Sequence, residues 1–242
     1  RNKKLNIKKQ FLNRKDSIYA ISNYAIKKSM KETKSKNFWR FWKTSKFILD
    51  NYEKDKNNII AKYNEVGYRD ARIEKDTFYI NPDNTMTIEM DINEGEIYKF
   101  GNISFTGNTV YSSEELSQQL GIENNDLFDQ SVLEKRLFGA GEGTDISSLY
   151  LDNGYLFFNA TPIEVAVTDK KIDLEIRINE GKQARINKVL VKGNTKTNDH
   201  VIMRELRTLP GDLFKRSDIM RSQRELAQMQ YFNPEKFDVK VD

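Results

Sequence analysis

The chain has 242 residues, a formal net charge of +4, 31% charged residues and no cysteine. The lack of cysteine excludes disulfides and thiolate metal sites. The sequence contains no run of about 18 apolar residues, the length that a membrane-spanning helix needs. This length and a hydrophobic content of 38% suit two or three small modules better than one large core.

The first repeat, residues 1–97, is predicted to begin with a strand carrying Leu5, Ile7 and Phe11 and to continue with a helix over residues 18–30. Residues 31–47 are predicted to be an insertion, because nothing in the second repeat corresponds to them. A hairpin closes the repeat, with one strand near residues 70–80 and a second whose alternate residues are apolar. Those apolar residues are Met86, Ile88, Met90 and Ile92.

The basic charge is concentrated at the N-terminal end. Residues 1–46 hold 15 Lys and Arg against two acidic residues, and the insertion adds aromatic side chains. Such a composition is typical of surfaces that bind anionic lipid or nucleic acid, but solvated charges around an apolar anchor are the preferred explanation. The candidate lipid or partner contacts are Phe38, Trp39, Arg40, Phe41, Trp42 and Lys43.

The second repeat, residues 98–182, has the clearest pattern. A strand over residues 100–106 ends at Gly107-Asn108, and Ser112 with Glu115 forms a capping box that opens a helix ending at Gly121. A second helical stretch starts at Ser131, is interrupted by the glycine-rich segment 139–143, and resumes from Ile146 to Asn153-Gly154. Two alternating strands joined by a turn at Asp169-Lys170 complete the unit.

The third repeat, residues 183–242, is predicted to contain a strand through Ile186, Val189 and Val191. Helices over residues 201–206 and 217–229 should follow. Phe237, Val239 and Val241 resemble the first hairpin strand. A counterpart of the last strand is missing, so we expect a longer protein to continue beyond Asp242.

Three short motifs recur at an offset of 86 residues, and a fourth recurs at 87. Gly107-Asn108 returns as Gly193-Asn194, Asp126-Leu127-Phe128 as Asp212-Leu213-Phe214, and Glu94-Gly95 as Glu180-Gly181, each 86 residues later; Gly67-Tyr68 returns as Gly154-Tyr155 after 87. These repeats predict an α+β protein built from tandem β-α-α-β-β modules, each with two helices packed on a three-stranded mixed sheet. The predicted domains are 1–97, with the insertion at about 31–47, then 98–182, and 183–242, truncated before its last strand.

No set of residues suits catalysis or cofactor binding. His200 is the only histidine, and the glycine-rich segment 139–143 lacks the Lys-Ser/Thr pair of a phosphate-binding loop. The paired carboxylates fit helix caps and turns. We therefore expect no enzyme activity, no cofactor and no metal.

Backbone edges are the remaining candidate sites. In a three-stranded sheet of this order, the first strand of each hairpin should lie at an edge, where an extended polypeptide could add as a further strand. The charged side chains along residues 69–76 favour the opposite view, that the edge is protected. The candidate edge residues are Arg72, Ile73, Glu74, Lys75, Ile163, Glu164, Val165 and Ala166.

The recurring motifs, with the segments Tyr150-Leu151-Asp152-Asn153-Gly154-Tyr155 and Pro210-Gly211-Asp212-Leu213-Phe214, resemble tandem POTRA domains of the Omp85 family of outer-membrane proteins. The likeness covers essentially the whole chain and is greatest to the β-barrel assembly branch of the family. The insertion Lys36-Asn37-Phe38-Trp39 resembles Bacteroidetes-type members. The first repeat departs from the pattern, because no clear Gly-Asn pair follows its first strand.

The resemblance implies a periplasmic arm of an outer-membrane insertase. Its expected partners are unfolded outer-membrane protein clients, accessory assembly lipoproteins, a membrane barrel of its own and an anionic lipid surface, but no nucleic acid. One alternative is the POTRA region of another Omp85 member, a two-partner-secretion or TamA-type transporter. A remote alternative from a different class is a nucleic-acid-binding protein that uses the basic N-terminal region, for which steep salt dependence would be the sign.

Overall fold

The computed structural model describes residues 6–14, 21–33, 48–82, 85–139, 143–194, 197–229 and 239–241, with the backbone alone for residues 6–14 and Thr85. Helices alternate with two three-stranded sheets along these residues, and the first sheet is mixed, which confirms the predicted α+β fold. Two compact units form. One consists of residues 1–102, 123–131 and 166–173, and the other of residues 103–122, 132–165 and 174–242.

The first sheet has the order β1-β3-β2, so the last strand of the hairpin lies in the middle. Its strands are β1 (Asn6–Arg14), β2 (Arg72–Ile80) and β3 (Thr85–Asn93), with β1 parallel and β2 antiparallel to β3. Between β1 and β2 the chain forms α1 (Asn23–Ser29) and α2 (Leu49–Asn64). The four alternate apolar residues of β3 are all buried, as the period of two predicted.

The predicted start of the first helix at residue 18 is wrong. The helix begins at Asn23 because Ser22 is its N-cap: its backbone is extended and its side chain accepts a hydrogen bond from the amide of Ala25. Ile26 and Met30 of this segment pack in a core with Tyr52, Ile59 and Tyr63 of α2. This core forms over one face of β3.

The second sheet repeats the arrangement as β4-β6-β5. Its strands are β4 (Lys99–Thr106), β5 (Asn159–Thr168) and β6 (Lys171–Asn179), and the helices between them are α3 (Ser113–Leu120), α4 (Gln130–Phe138) and α5 (Ile146–Leu151). Both halves of the predicted Ser112–Glu115 capping box are present. Asp169 and Lys170 have φ of 50° and 63°, as a two-residue turn that matches strand twist requires.

The third repeat contributes α6 (Asp199–Met203) and α7 (Arg216–Gln228). The helix predicted to reach Leu206 ends at Met203, with Arg204 as its C-cap. The strand predicted through Ile186, Val189 and Val191 is also wrong, since among the described residues this segment forms only an isolated bridge between Arg185 and Leu213. The reason is the missing partner: β1 and β4 each pair with the last strand of a hairpin, and no described residue after α7 forms one.

Candidate partner-binding edges and the joints between repeats

The predicted edge residues do lie on edge strands. β2 is at one edge of the first sheet and carries Arg72, Ile73, Glu74 and Lys75, and β5 is at one edge of the second and carries Ile163, Glu164, Val165 and Ala166. The structure thus gives two separate groups rather than one combined site. Their surroundings differ.

The beginning of β2 is protected. The register with β3 shifts between Ile73 and Lys75, which makes Glu74 a bulge residue. Its carboxylate accepts a hydrogen bond of 2.9 Å from the Asn93 amide and lies 3.5 Å from the Arg72 guanidinium. Bulges and charges of this kind discourage a further strand from pairing.

On the helix-facing side of the sheet, the middle of β2 packs against α2. Asp76 accepts hydrogen bonds of 3.0 Å from the Tyr52 hydroxyl and 3.3 Å from Lys56 Nζ, while the Phe78 ring meets the Tyr52 ring edge-on at 5.2 Å. Burial, followed by the hydrogen bond to Asp76, raises the pKa of Tyr52 well above its ordinary value. Only the far end of β2 is apolar and open, with Ile80 66% exposed.

The far half of β5 is apolar and open over a longer stretch. Val165 and Val167 are 62% and 51% exposed, and alternation places them on the same face as the half-buried Ile163. Among the described residues no strand pairs with the outer side of β5. The β5 edge is therefore the more accessible of the two.

The opposite edge of the second sheet, β4, is occupied by its own repeat. Asp126-Leu127-Phe128 runs antiparallel to the start of β4, with a bridge between Leu127 and Lys99. The Phe100 amide donates to the Asp126 carbonyl at 2.8 Å, and the Phe128 amide donates to the Tyr98 carbonyl at 3.0 Å. The sequence indicated only a connection here, so this role in covering a sheet edge was missed.

The same arrangement returns in the third repeat. The Ile186 amide donates to the Asp212 carbonyl at 2.8 Å, and the Phe214 amide donates to the Ala184 carbonyl at 3.0 Å. The recurrence of Asp-Leu-Phe 86 residues later in the chain was the signal that could have suggested a shared role for the two copies.

The residue that pairs with the phenylalanine of each Asp-Leu-Phe motif also contacts the preceding repeat. The amide of Tyr98 donates to the Gly67 carbonyl at 2.8 Å, and the amide of Ala184 donates to the Gly154 carbonyl at 2.8 Å. Both glycines are left-handed, with φ of 87° and 85°. We call Gly67, Tyr98 and Leu127 the first joint, and we call Gly154, Ala184 and Leu213 the second joint.

The joints are too close for a side chain on the glycine. A Cβ on Gly67 would lie 3.0 Å from the Tyr98 carbonyl oxygen, and one on Gly154 would lie 2.6 Å from Leu213 Cδ1. Gly67 and Leu127, 60 residues apart in sequence, therefore meet at the first joint, and Gly154 and Leu213, 59 residues apart, meet at the second.

Side chains around the two joints differ. At the first joint the Tyr98 hydroxyl donates to Asp70 at 2.8 Å, and the Arg69 guanidinium lies 5.9 Å from the rings of both Tyr98 and Phe128. The hydrogen bond to Asp70 is the main cause that raises the pKa of Tyr98. At the second joint, Ala184 stands at the position of Tyr98, so this contact cannot form.

A buried glutamate connects the two ends of the second repeat. Glu180 accepts hydrogen bonds from the amides of Thr109 (2.7 Å) and Val110 (2.9 Å), from the Tyr150 hydroxyl (3.1 Å) and from the Thr109 hydroxyl. Burial alone would raise the pKa of Glu180, but these hydrogen bonds together lower it below its ordinary value. In the first repeat, Glu94 likewise accepts a hydrogen bond of 2.7 Å from Tyr63.

The predicted aromatic contacts Phe38, Trp39, Arg40, Phe41, Trp42 and Lys43 lie outside the described residues. The chain that leads into them is anchored: the buried carboxylate of Asp55 accepts hydrogen bonds from the amides of Lys31, Glu32 and Thr33. This contact holds the backbone of residues 31–33 against α2.

Within the described part of the chain, no group of three or more His, Cys, Asp or Glu side chains could hold a metal ion. His200 is exposed on α6. None of the described helices is long and apolar enough to cross a membrane.

A family model described as POTRA, surface antigen variable number repeat, matches residues 19–95, 98–181 and 184–242. The chain belongs to the POTRA family. Its sheets of order 1-3-2 with intervening helices are thus tandem POTRA repeats. The glycine of each Gly-Tyr motif accepts a hydrogen bond from the next repeat and lies beside the leucine of that repeat's Asp-Leu-Phe motif.

These POTRA repeats are similar to those of BamA. The chain is 28% identical over 199 residues to the outer membrane protein assembly factor BamA of Nitratidesulfovibrio vulgaris and 26% identical over 200 residues to that of Neisseria meningitidis serogroup B. The matches cover 79% and 81% of this chain and 24% of each relative. The chain therefore spans about a quarter of the length of these relatives.

The crystal structure of Haemophilus influenzae BamA POTRA3-5 has the same fold. It matches with a TM-score of 0.69 and 20% identity, over 95% of this chain and 87% of that one.

Proposed function

We propose that this chain is the periplasmic scaffold arm of an outer-membrane β-barrel assembly protein and acts without catalysis. The POTRA family match and the similarity to two proteins named as outer membrane protein assembly factors support this role. We further propose the division into domains 1–97, 98–182 and 183–242. The proposed partners are unfolded outer-membrane proteins, accessory lipoproteins, a membrane barrel of the same protein and, for the aromatic insertion, anionic lipid.

The observation that carries the proposal is the β5 edge. Strands of outer-membrane barrels alternate apolar and polar residues, so an unfolded client offers one apolar face along an extended backbone. Val165 and Val167 present a matching apolar face at a sheet edge, where backbone hydrogen bonds place little demand on the client's sequence. The client would add as a fourth strand beside β5.

The β2 edge should bind more weakly. The bulge at Glu74 interrupts regular pairing at its start, and the Asp76 and Phe78 side chains already contact Tyr52, so they are not available to a client strand. We therefore assign the main client site to β5 and a lesser one to β2.

Proline substitution tests the assignment. In a hairpin closed by a two-residue turn, the residues next to the turn form a hydrogen-bonded pair, so the amide of Val165 is expected to point away from β6. Val165→Pro removes that outward donor, whereas Val165→Thr keeps it with a similar shape. The probe is a ten-residue peptide of alternating apolar and polar residues, with binding followed by fluorescence anisotropy.

We expect Val165→Pro to weaken peptide binding at least tenfold, Ile73→Pro to weaken it less, and Val165→Thr to change it little. Circular dichroism establishes that each variant is folded. Unchanged affinity of a folded Val165→Pro protein would exclude strand addition at β5.

A further inference from the structure

The helix α7 lacks a cap from its own repeat. The residue at its N-cap position is Lys215, whose side chain makes no capping hydrogen bond. Lysine cannot accept a hydrogen bond, and its positive charge is unfavourable beside the positive end of a helix dipole. On local sequence alone, the first turn of this 13-residue helix is therefore poorly stabilised.

The missing cap comes from the preceding repeat. The amide of Ser217, in the first turn of α7, donates a hydrogen bond of 2.8 Å to Asp152 Oδ1. Asp152 is itself the C-cap of α5, 65 residues earlier, and lies two residues before Gly154 of the second joint. A carboxylate that accepts from a free amide at this end of a helix is the arrangement that N-cap residues provide.

The first joint solves the same problem locally. There the amide of Ser131, 86 residues before Ser217, donates at 2.8 Å to Asp129 of its own repeat. Glu65 occupies the position that corresponds to Asp152 and pairs with Lys62 of its own helix. The cap that crosses between repeats is thus a feature of the second joint.

We propose that Asp152 is a helix cap supplied across the second joint, so that α7 is fully stable only while that joint is closed. The stability of α7 is then coupled to the second repeat through one side chain. An event that opens the second joint would loosen the first turn of α7 without touching it directly.

Hydrogen exchange followed by mass spectrometry tests the proposal on the full chain. Asp152→Ala should make the amides near the start of α7 exchange about three to ten times faster, the usual effect of losing an N-cap. Asp152→Asn should change exchange little, because its amide oxygen still accepts the hydrogen bond. Asp129→Ala is the matched control and should affect α4 instead of α7.

A second substitution separates capping from general damage. Adding Lys215→Ser to Asp152→Ala gives α7 a cap of its own and should restore slow exchange at its start. Unchanged exchange in Asp152→Ala would overturn the proposal. Faster exchange spread over the whole third repeat, or no recovery on adding Lys215→Ser, would overturn it as well.

Discussion

Gly154 offers the sharpest test of how the second joint is held. Its φ of 85° is in the left-handed region, where an alanine costs about 1–2 kcal/mol. A Cβ at Gly154 would also lie 2.6 Å from Leu213 Cδ1 and 2.8 Å from Leu213 Cγ, against the 3.4 Å at which ordinary contact begins. Leu213 would have to move by roughly 0.8 Å, and accommodating such overlap typically costs about 1–3 kcal/mol.

Gly154→Ala should therefore lower the free energy of unfolding by about 2–5 kcal/mol. Gly143 provides the matched control, because its φ of 73° is similar but no heavy atom of the described residues lies within 4 Å of its Cβ position. Gly143→Ala should cost only the backbone component, about 1–2 kcal/mol. Urea unfolding followed by circular dichroism measures both.

A double-mutant cycle with Leu213→Ala identifies the source of the difference. Shortening the leucine removes the overlap, so Gly154→Ala should cost about 1–2 kcal/mol in that background, close to the cost of Gly143→Ala. Equal destabilisation by Gly154→Ala and Gly143→Ala would show that overlap with Leu213 adds no cost. The same conclusion would follow if Gly154→Ala cost as much free energy in the Leu213→Ala background as in the wild type.

Three further predictions concern the buried contacts. Because the folded pKa of Glu180 lies below its unfolded value of about 4.3, its contribution to stability is complete above that pH and is lost as the pH falls through the lower value. Glu180→Gln should therefore be less stable than the wild type at pH 7, with a gap that narrows as the pH falls through the lowered pKa of Glu180, and a gap independent of pH would contradict this. Asp55→Ala leaves three amides without their acceptor and should lower the free energy of unfolding by about 2–4 kcal/mol; a loss below 0.5 kcal/mol in urea would refute it. Gly107→Ala would overlap the Ile178 carbonyl oxygen and should speed hydrogen exchange at the end of β6. Gly193→Ala is the control, and it should speed hydrogen exchange near Gly193 less.

The local elements could be predicted because their causes are local. Alternating apolar residues identified β3 and β6, and the capping box at Ser112 identified the start of α3. The turn at Asp169-Lys170 was equally readable, since two residues with positive φ suffice to close a hairpin. The order of strands, with β2 and β5 at edges, followed from the repeat pattern.

The predicted strand of the third repeat was wrong because a strand also needs a pairing partner. Ile186, Val189 and Val191 alternate as a strand should, yet they form no ladder among the described residues, because alternation expresses a preference and a ladder needs a neighbour. The predicted start of α1 was too early for a local reason. Apolar spacing suggested a helix from residue 18, whereas the N-cap Ser22 makes the helix begin at Asn23.

The sequence by itself determined the repeats, their period and the type of each module, because these depend on spacing within about 90 residues. Only the tertiary structure decided what the recurring motifs do. Gly154 and Leu213 are 59 residues apart, and Asp152 and Ser217 are 65 apart, yet each pair is in contact at the second joint. A recurring motif shows that a residue type is needed at a position. The group that this residue contacts is brought beside it only when the chain folds.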